Sequence, residues 1–185
     1  MPKSDSHSYL LQFDPYRDSA DWVSESPEDY AARMQATLLP NWPTEVLVEW
    51  LHRHAGNLYA YAFLGFENLR FERQTWPLAR IPGRDAFADP GYCDAFQNLE
   101  TRAANPHDWL ANHMLSRGTW NTPIILLLTG NEAIRAPGGW YLNPPLHLLE
   151  GHRRLSFLVA LRALGKARPD HDVWIATLIG GSTTR

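Results

Sequence analysis

The segment at residues 146–165, LHLLEGHRRLSFLVALRALG, constrains the fold more than any other part of the chain. It is typical of a short strand, a tight turn at Gly151 and a helix that ends at Gly165. The apolar residues of this helix lie on nearly all of its sides: Leu155, Leu158, Val159, Leu161 and Leu164. Such a helix is stable only when other elements cover it. The segment DVWIATLI that follows is typical of a strand, so we expect a buried helix that joins a parallel pair of strands.

The composition excludes several classes of protein. The 185 residues are 44% hydrophobic and 20% charged, which is not the composition of a disordered, collagen-like or coiled-coil chain. Cys93 is the only cysteine, so no disulfide can form within the chain. No apolar run approaches the length of a membrane span, and the first residues lack the pattern of a signal peptide. We therefore expect a soluble, cytoplasmic protein with no membrane partner.

The chain changes character near residue 70. Residues 1–69 contain two helical patterns, SPEDYAARMQATLL and NWPTEVLVEWLHRHAG, and each has a proline near its start. Residues 70–185 contain strand patterns at LRFERQTW, TPIILLL, LHLLE and DVWIATLI, with a further helix between Asp108 and Gly118. We predict a mainly helical N-terminal extension at residues 1–69 and an α+β domain at residues 70–185. A helix is expected around residues 95–104, and residues 131–145 are expected to form a loop that carries Trp140.

The first turn of the helix after Gly151 carries His152, Arg153 and Arg154. Cations at this position oppose the helix dipole, which favours anions at an N-terminus. Guanidinium groups, free backbone N–H groups and a glycine that permits close approach together suit a phosphate. In the simpler interpretation, the two arginines are ordinary surface residues that pair with Glu150 or with the acidic N-terminal region.

The charges are unevenly distributed along the chain. The formal net charge is −3, which disfavours a broad nucleic-acid-binding surface. Residues 1–30 contain seven acidic residues against two basic ones, whereas residues 146–169 contain five basic residues against one acidic residue. The average therefore leaves room for one small, arginine-lined phosphate site.

The segment EGHRRLSFLVALRALG resembles the signature helix of the ParB/sulfiredoxin-like superfamily. Three flanking segments are similar to that family in the same order: FERQTWPLARIP to its first strand and turn, LSRGTWNTPIILL to a helix end followed by a strand, and DVWIATL to the strand after the signature helix. The resemblance covers about residues 70–180, and the signature helix is its most specific part. It implies an α+β domain, with a mixed sheet and packed helices, that binds nucleotide phosphates at the start of this helix.

The branches of the family imply different ligands. In the free serine kinase branch the motif is D-G-H-H-R and holds ATP phosphates, and its five positions correspond here to Glu150, Gly151, His152, Arg153 and Arg154. In the ParB branch the motif is G-E-R-R and binds CTP. Sulfiredoxin has a catalytic cysteine where this chain has His152, so sulfiredoxin chemistry is not expected. DNA reading by a following helix-turn-helix is not expected either, because the sequence ends at Arg185.

The resemblance thus implies a nucleotide-binding protein, and ATP-dependent phosphoryl transfer or NTP hydrolysis is the expected reaction if the protein is an enzyme. The expected ligand is a nucleoside triphosphate, ATP or CTP, with Mg²⁺, held by Gly151, His152, Arg153 and Arg154. His152 and Glu150 are the candidate catalytic residues; Glu72 and Glu132 are weaker candidates, and no sequence pattern predicts a metal-ligand set. The alternative is a binding module without catalysis, which contacts a protein or nucleic acid through the N-terminal helices or the Trp140 loop.

Overall fold

The computed structural model describes residues 10–179 and contains both helices and a mixed sheet. This confirms the expected α+β class. Two compact units can be distinguished: one contains residues 10–71 with residues 178–179, and the other is Glu72–Thr177. The predicted boundary at residue 70 did not anticipate that the end of the last strand belongs with the first unit. No helix within residues 10–179 has both the length and the apolar character needed to cross a membrane.

Helices dominate the first unit. The two predicted helices are confirmed, and the second changes to a wider π-helical turn that the sequence pattern did not indicate. The elements are α1 (Pro27–Thr37), α2 (Thr44–Val46, continued by the π-helix Leu47–His52) and α3 (Leu58–Tyr61). Ser26 caps α1 as predicted, because its hydroxyl accepts a hydrogen bond from the Asp29 amide at 3.1 Å. Arg33 on α1 pairs with Glu25 at 2.7 Å and donates to the Asp14 carbonyl, which fastens the preceding segment to the helix.

The strands form a four-stranded sheet and a small hairpin. The sheet has the order β1-β6-β2-β5, and the hairpin pairs β3 with β4. Their bounds are β1 (Leu69–Pro77), β2 (Ile124–Leu128), β3 (Ile134–Arg135), β4 (Tyr141–Leu142), β5 (Leu146–Glu150) and β6 (Asp170–Leu178). The four long strands lie where the sequence predicts them. The hairpin occupies the segment predicted as a loop, because two-residue strands are too short to produce a visible alternation.

The pairing of the strands differs from the expected parallel strand–helix–strand unit. β2 is parallel to β6, with Ile124 opposite Val173, and antiparallel to β5. β5 and β6 therefore run in opposite directions and flank β2, so the helix between them does not join a parallel pair. The prediction was wrong because β5 pairs antiparallel with β2 whereas β6 pairs parallel with it, and strand direction in a sheet is set by tertiary pairing that a local pattern does not reveal.

The helices of the second unit include the buried one that the sequence predicts. They are α4 (Pro90–Ala95), α5 (Leu99–Ala103), α6 (Trp109–Arg117) and α7 (His152–Ala163). The single helix expected around residues 95–104 is replaced by α4 and α5. α7 packs against all three of the other helices and against β2. Its residues Leu155, Phe157, Leu158 and Leu161 are fully buried, as expected for most of its apolar surface. Val159 is only partly buried and Leu164, at the end of the helix, is 40% exposed, so the expected burial does not extend to these two residues.

One arginine near the end of α7 holds the segment that follows β1. The guanidinium group of Arg162 donates to the carbonyl oxygens of Leu78 at 2.5 Å, Ile81 at 2.6 Å and Pro82 at 3.1 Å. These carbonyls lie in the turn after β1, where the Leu78 carbonyl oxygen also accepts a hydrogen bond from the Ile81 amide at 3.2 Å. Burial lowers the pKa of Arg162 without removing its charge.

We predict that Arg162→Met lowers the free energy of unfolding by about 2–4 kcal/mol, because three carbonyls lose a charged donor. Denaturant titration followed by tryptophan fluorescence measures the change. Arg135→Met on the exposed face of the hairpin is the matched control and should leave the midpoint nearly unchanged. Equal midpoints for the two variants would contradict a structural role for Arg162.

Candidate functional site

Gly151 fixes where α7 begins. It has φ +99°, in the left-handed region, and no side chain caps the helix there. A Cβ atom at this position would lie 2.6 Å from Cγ2 of Ile124 on β2. Glycine is therefore required both for the turn and for the close approach of the turn to the sheet. The N–H groups of the first helical turn have no acceptor within a helix, so an anion is favoured at this end.

Arg153 already has an anionic partner within the chain. Its Nη2 atom lies 2.8 Å from both carboxylate oxygens of Asp108, and its guanidinium carbon lies 5.5 Å from the ring centres of Phe96 and Phe157. Asp108 also caps α6, as predicted, by accepting a hydrogen bond from the Ala111 amide. The Arg153 side chain remains 40% exposed, so part of it is accessible to a ligand.

Arg154 is buried and forms the pair that the simpler interpretation of the sequence describes. Its Nη2 atom lies 3.4 Å from Oε1 of Glu150, and the two side chains are 9% and 14% exposed. A buried ion pair costs free energy to desolvate, and it is costly to break by removing one partner. Arg154 and Glu150 therefore hold the turn around Gly151 together.

His152 lies against aromatic rings. The centre of its ring is 5.8 Å from that of Phe87 and 5.5 Å from that of Tyr92, and both contacts are edge-on. The imidazole is half-buried, and its charge contributes to lowering the pKa of the neighbouring His147. Burial raises the pKa of Tyr92. The structure thus places His152 beside the start of α7 but within an aromatic cluster.

An open depression of about 470 Å³ lies beside Arg153 and brings in a second arginine. Nη1 of Arg102 lies 3.8 Å from Oδ2 of Asp108, and its guanidinium carbon stacks 4.3 Å from the ring centre of Phe96. Trp109, which is 58% exposed, lines the same depression. Two guanidinium groups on one carboxylate, beside an aromatic wall, suit an oxyanion that accepts several hydrogen bonds.

Sequence reasoning missed Arg102 and Asp108 as members of this site. Asp108 was recognised only as a helix cap, and Arg102 carries no local signal of its function. The two residues meet Arg153 because α5 and α6 form a compact helix pair that packs on α7. Asp108 and Arg153 are 45 residues apart in the sequence, so no local pattern reveals that they are in contact.

The other predicted acids lie elsewhere. Glu72 is exposed on β1, the edge strand opposite to β5, and Glu132 is exposed in the turn before β3. Within residues 10–179, no group of three or more His, Cys, Asp or Glu side chains is placed to hold a metal ion. The acids beside the arginines are Asp108 and Glu150. Each of these two carboxylates is paired with an arginine: Asp108 with Arg153, and Glu150 with Arg154.

The loop residue Trp140 packs on the second unit. Its ring centre lies 6.0 Å from that of His147, and the ring is half-buried. The adjacent Tyr141 on β4 is 49% exposed. Trp140 thus contacts a buried histidine instead of projecting freely from the hairpin.

No protein-family model, curated protein or solved structure matches the chain. The resemblance to the ParB/sulfiredoxin-like superfamily therefore stays a prediction.

We predict that Gly151→Ala destabilises the protein by about 2–5 kcal/mol, because it adds a collision with Ile124 to the cost of a positive φ. Gly165→Ala is a matched control at the other end of α7: Gly165 has φ +65°, and a Cβ there meets nothing within 4 Å. It should cost only about 1–2 kcal/mol. Urea titration of both variants measures the difference, and equal losses would refute the close packing at Gly151.

We also predict that His147 contributes to acid sensitivity. Its Nδ1 atom accepts a hydrogen bond from the backbone amide of Asn143, and burial lowers the pKa of His147 from 6.5 to about 4. Between these values the unfolded chain binds a proton that the folded protein does not, so the free energy of unfolding falls as pH decreases. The full effect is on the order of 3 kcal/mol.

Urea titrations from pH 7 to pH 4 test this contribution. His147→Gln should give a flatter dependence than the wild-type protein, and His107→Gln, on an exposed loop, is the control for a surface histidine. If His147→Gln keeps the full wild-type slope, His147 does not contribute.

Proposed function

We propose that this chain is a nucleotide-binding protein that holds a phosphate group between Arg102 and Arg153, beside the first turn of α7. The observation that carries the proposal is that both guanidinium groups contact the one carboxylate of Asp108 at the edge of an open depression. Two positive charges on one negative charge leave an excess of +1 at this point. An anion that can accept several hydrogen bonds, such as phosphate, is the ligand that such a pair favours.

The residues of the motif have separate roles in this proposal. The backbone amides after Gly151 and the guanidinium group of Arg153 bind phosphate oxygens. Arg154 is a positioning residue, since its buried pair with Glu150 holds the turn that orients those amides. The exposed ring of Trp109 provides a surface on which a base can stack.

Asp108 acts as an internal competitor for the ligand. Its two carboxylate oxygens both accept from Nη2 of Arg153, the atom on which a phosphate oxygen would compete with them. Binding is then an exchange of one anion for another, and the affinity depends on the difference between the two. The expected ligand is ATP or CTP with Mg²⁺, which neutralises phosphate charge when bound, and Glu150 is the acid proposed to hold the metal.

The proposed reaction class is ATP-dependent phosphoryl transfer or NTP hydrolysis, as the family resemblance implies. His152 is the candidate acid or base because a histidine can carry or release a proton near neutral pH. Glu150 is the candidate carboxylate beside the phosphates. Each would have to exchange an internal contact, with Tyr92 or with Arg154, for a contact with the substrate.

A second candidate function is nucleotide binding without catalysis, with a protein or nucleic acid as the further partner. The specific observation in its favour is that the two candidate catalytic residues, His152 and Glu150, are engaged in internal packing and ion pairing. Formation of ADP or CDP by the wild-type protein at saturating nucleotide separates the two functions. Turnover that His152→Ala abolishes supports the enzyme, and binding without turnover supports the module.

Isothermal titration with Mg²⁺ and ATP or CTP tests the binding itself. We predict that Arg153→Ala weakens binding by about 1.5–3 kcal/mol, roughly 10- to 150-fold, through loss of a charge-assisted contact. Asp108→Asn should instead tighten binding, because it removes the competing charge and keeps a side chain that can cap α6. Arg117→Ala, an exposed arginine on α6, is the matched control and should bind as the wild-type protein does.

The two variants together exclude a purely structural explanation. If Arg153 mattered only for stability, Arg153→Ala and Asp108→Asn would change binding in the same direction. No heat of binding with either nucleotide at millimolar concentration, or equal affinity in the wild-type protein and Arg153→Ala, would refute the proposal.

A further inference from the structure

A second pocket in the unit Glu72–Thr177 shares no lining residue with the depression beside Arg153. It encloses about 320 Å³ where the loop after α6 meets the start of β6. The polar residues that line it include Thr75, Thr119, Asn121, Arg168, His171 and Asp172. Its volume is in the lower part of the range of small-molecule sites.

The pocket contains a hydroxyl group that is hydrogen-bonded to a histidine. Oγ1 of Thr119 lies 2.8 Å from Nδ1 of His171, and Nε2 of His171 lies 3.0 Å from the carbonyl oxygen of Arg168. A carbonyl oxygen can only accept, so Nε2 of His171 carries the hydrogen atom. In the neutral ring Nδ1 is then the acceptor, and the Thr119 hydroxyl donates to it. Burial lowers the pKa of His171, which favours this neutral form.

The imidazole is held in one orientation. His171 is 2% exposed, and its ring centre lies 5.0 Å from that of Trp120. The indole N–H of Trp120 donates to the carbonyl oxygen of Asp172 at 2.8 Å, which fixes the ring that packs on the histidine. A hydroxyl, a base and a group that orients the base are the parts of an activated nucleophile.

The surroundings can stabilise a developing negative charge. Arg168 and Asn121 line the same pocket, and both side chains carry hydrogen-bond donors. The other hydroxyl of the pocket, on Thr75, donates to the Asp172 carboxylate at 2.6 Å and contacts no imidazole in the described hydrogen bonds. Arg73 pairs with the same carboxylate at 2.8 Å, so the charge of Asp172 is balanced.

The geometry points to Thr119 as a nucleophile that accepts small acyl groups from activated esters, with His171 as its base. Oγ1 of Thr119 forms a bond to the acyl carbon while its proton moves to Nδ1 of His171. The bond between the acyl carbon and the leaving oxygen then breaks, and the proton passes from His171 to that oxygen. The products are an acyl ester on Thr119 and a free alcohol or phenol, with no change of oxidation state.

Reaction of the full chain with p-nitrophenyl acetate tests this site. We expect release of one equivalent of p-nitrophenol per chain, and mass spectrometry of peptides should find one acetyl group on Thr119. Thr119→Val should abolish this labelling, and His171→Gln should slow it about 100-fold or more, which is the usual contribution of a general base. Thr75→Val removes the other hydroxyl of the pocket and is the matched control, in which Thr119 stays reactive.

Thr119→Ser is a control for loss of labelling through misfolding. It keeps the hydroxyl and should be labelled at least as fast as the wild-type protein. Mapping of the wild-type adduct decides the question independently of any variant. Acetylation elsewhere with Thr119 unmodified would overturn the inference, as would an unchanged rate of Thr119 labelling in folded His171→Gln. Nucleotide binding at Arg153 is not involved in this test, so either proposal can fail alone.

Discussion

The burial of most of α7 determines how the second unit is built. A helix with apolar residues on several of its sides needs cover in several directions, and α4, α5, α6 and β2 all pack on it. One residue then fixes each end of the helix. Gly151 lets the first turn lie against Ile124, and Arg162 binds the last turns to the segment after β1. Because these contacts fix the position of α7, they also fix the position of its first turn, where the candidate phosphate site lies.

Charge at that first turn creates a conflict which the chain resolves internally. Arginines at the positive end of a helix are unfavourable unless anions are near, and Asp108 and Glu150 supply them. The buried pair of Arg154 with Glu150 contributes to the architecture. The pair of Arg153 with Asp108 is different, because the Arg153 side chain is 40% exposed, Arg102 provides a second cation and the side chains border an open depression. A site of this type is stable without a ligand and can still exchange its anion.

Local signals in the sequence were sufficient for most elements of the fold. Ser26 and Asp108 predicted helix starts, Gly118 and Gly165 predicted helix ends, and long apolar runs predicted the main strands. The hairpin of β3 and β4 was missed because its strands are two residues long. The place of β2 between β5 and β6, the meeting of Asp108 with Arg153 and that of Thr119 with His171 were not predictable. Each depends on pairing between segments that are not neighbours in the sequence.

Asp108 performs two functions, and this gives the site a built-in reporter. One of its oxygens accepts a hydrogen bond from the Ala111 amide and another from Arg153 at the same time. When an external anion binds Arg153 in place of Asp108, that oxygen keeps only its hydrogen bond from the Ala111 amide, which is then strengthened. Occupancy of the depression should then slow hydrogen–deuterium exchange at Ala111, so a single backbone amide on α6 would register a ligand that it never touches.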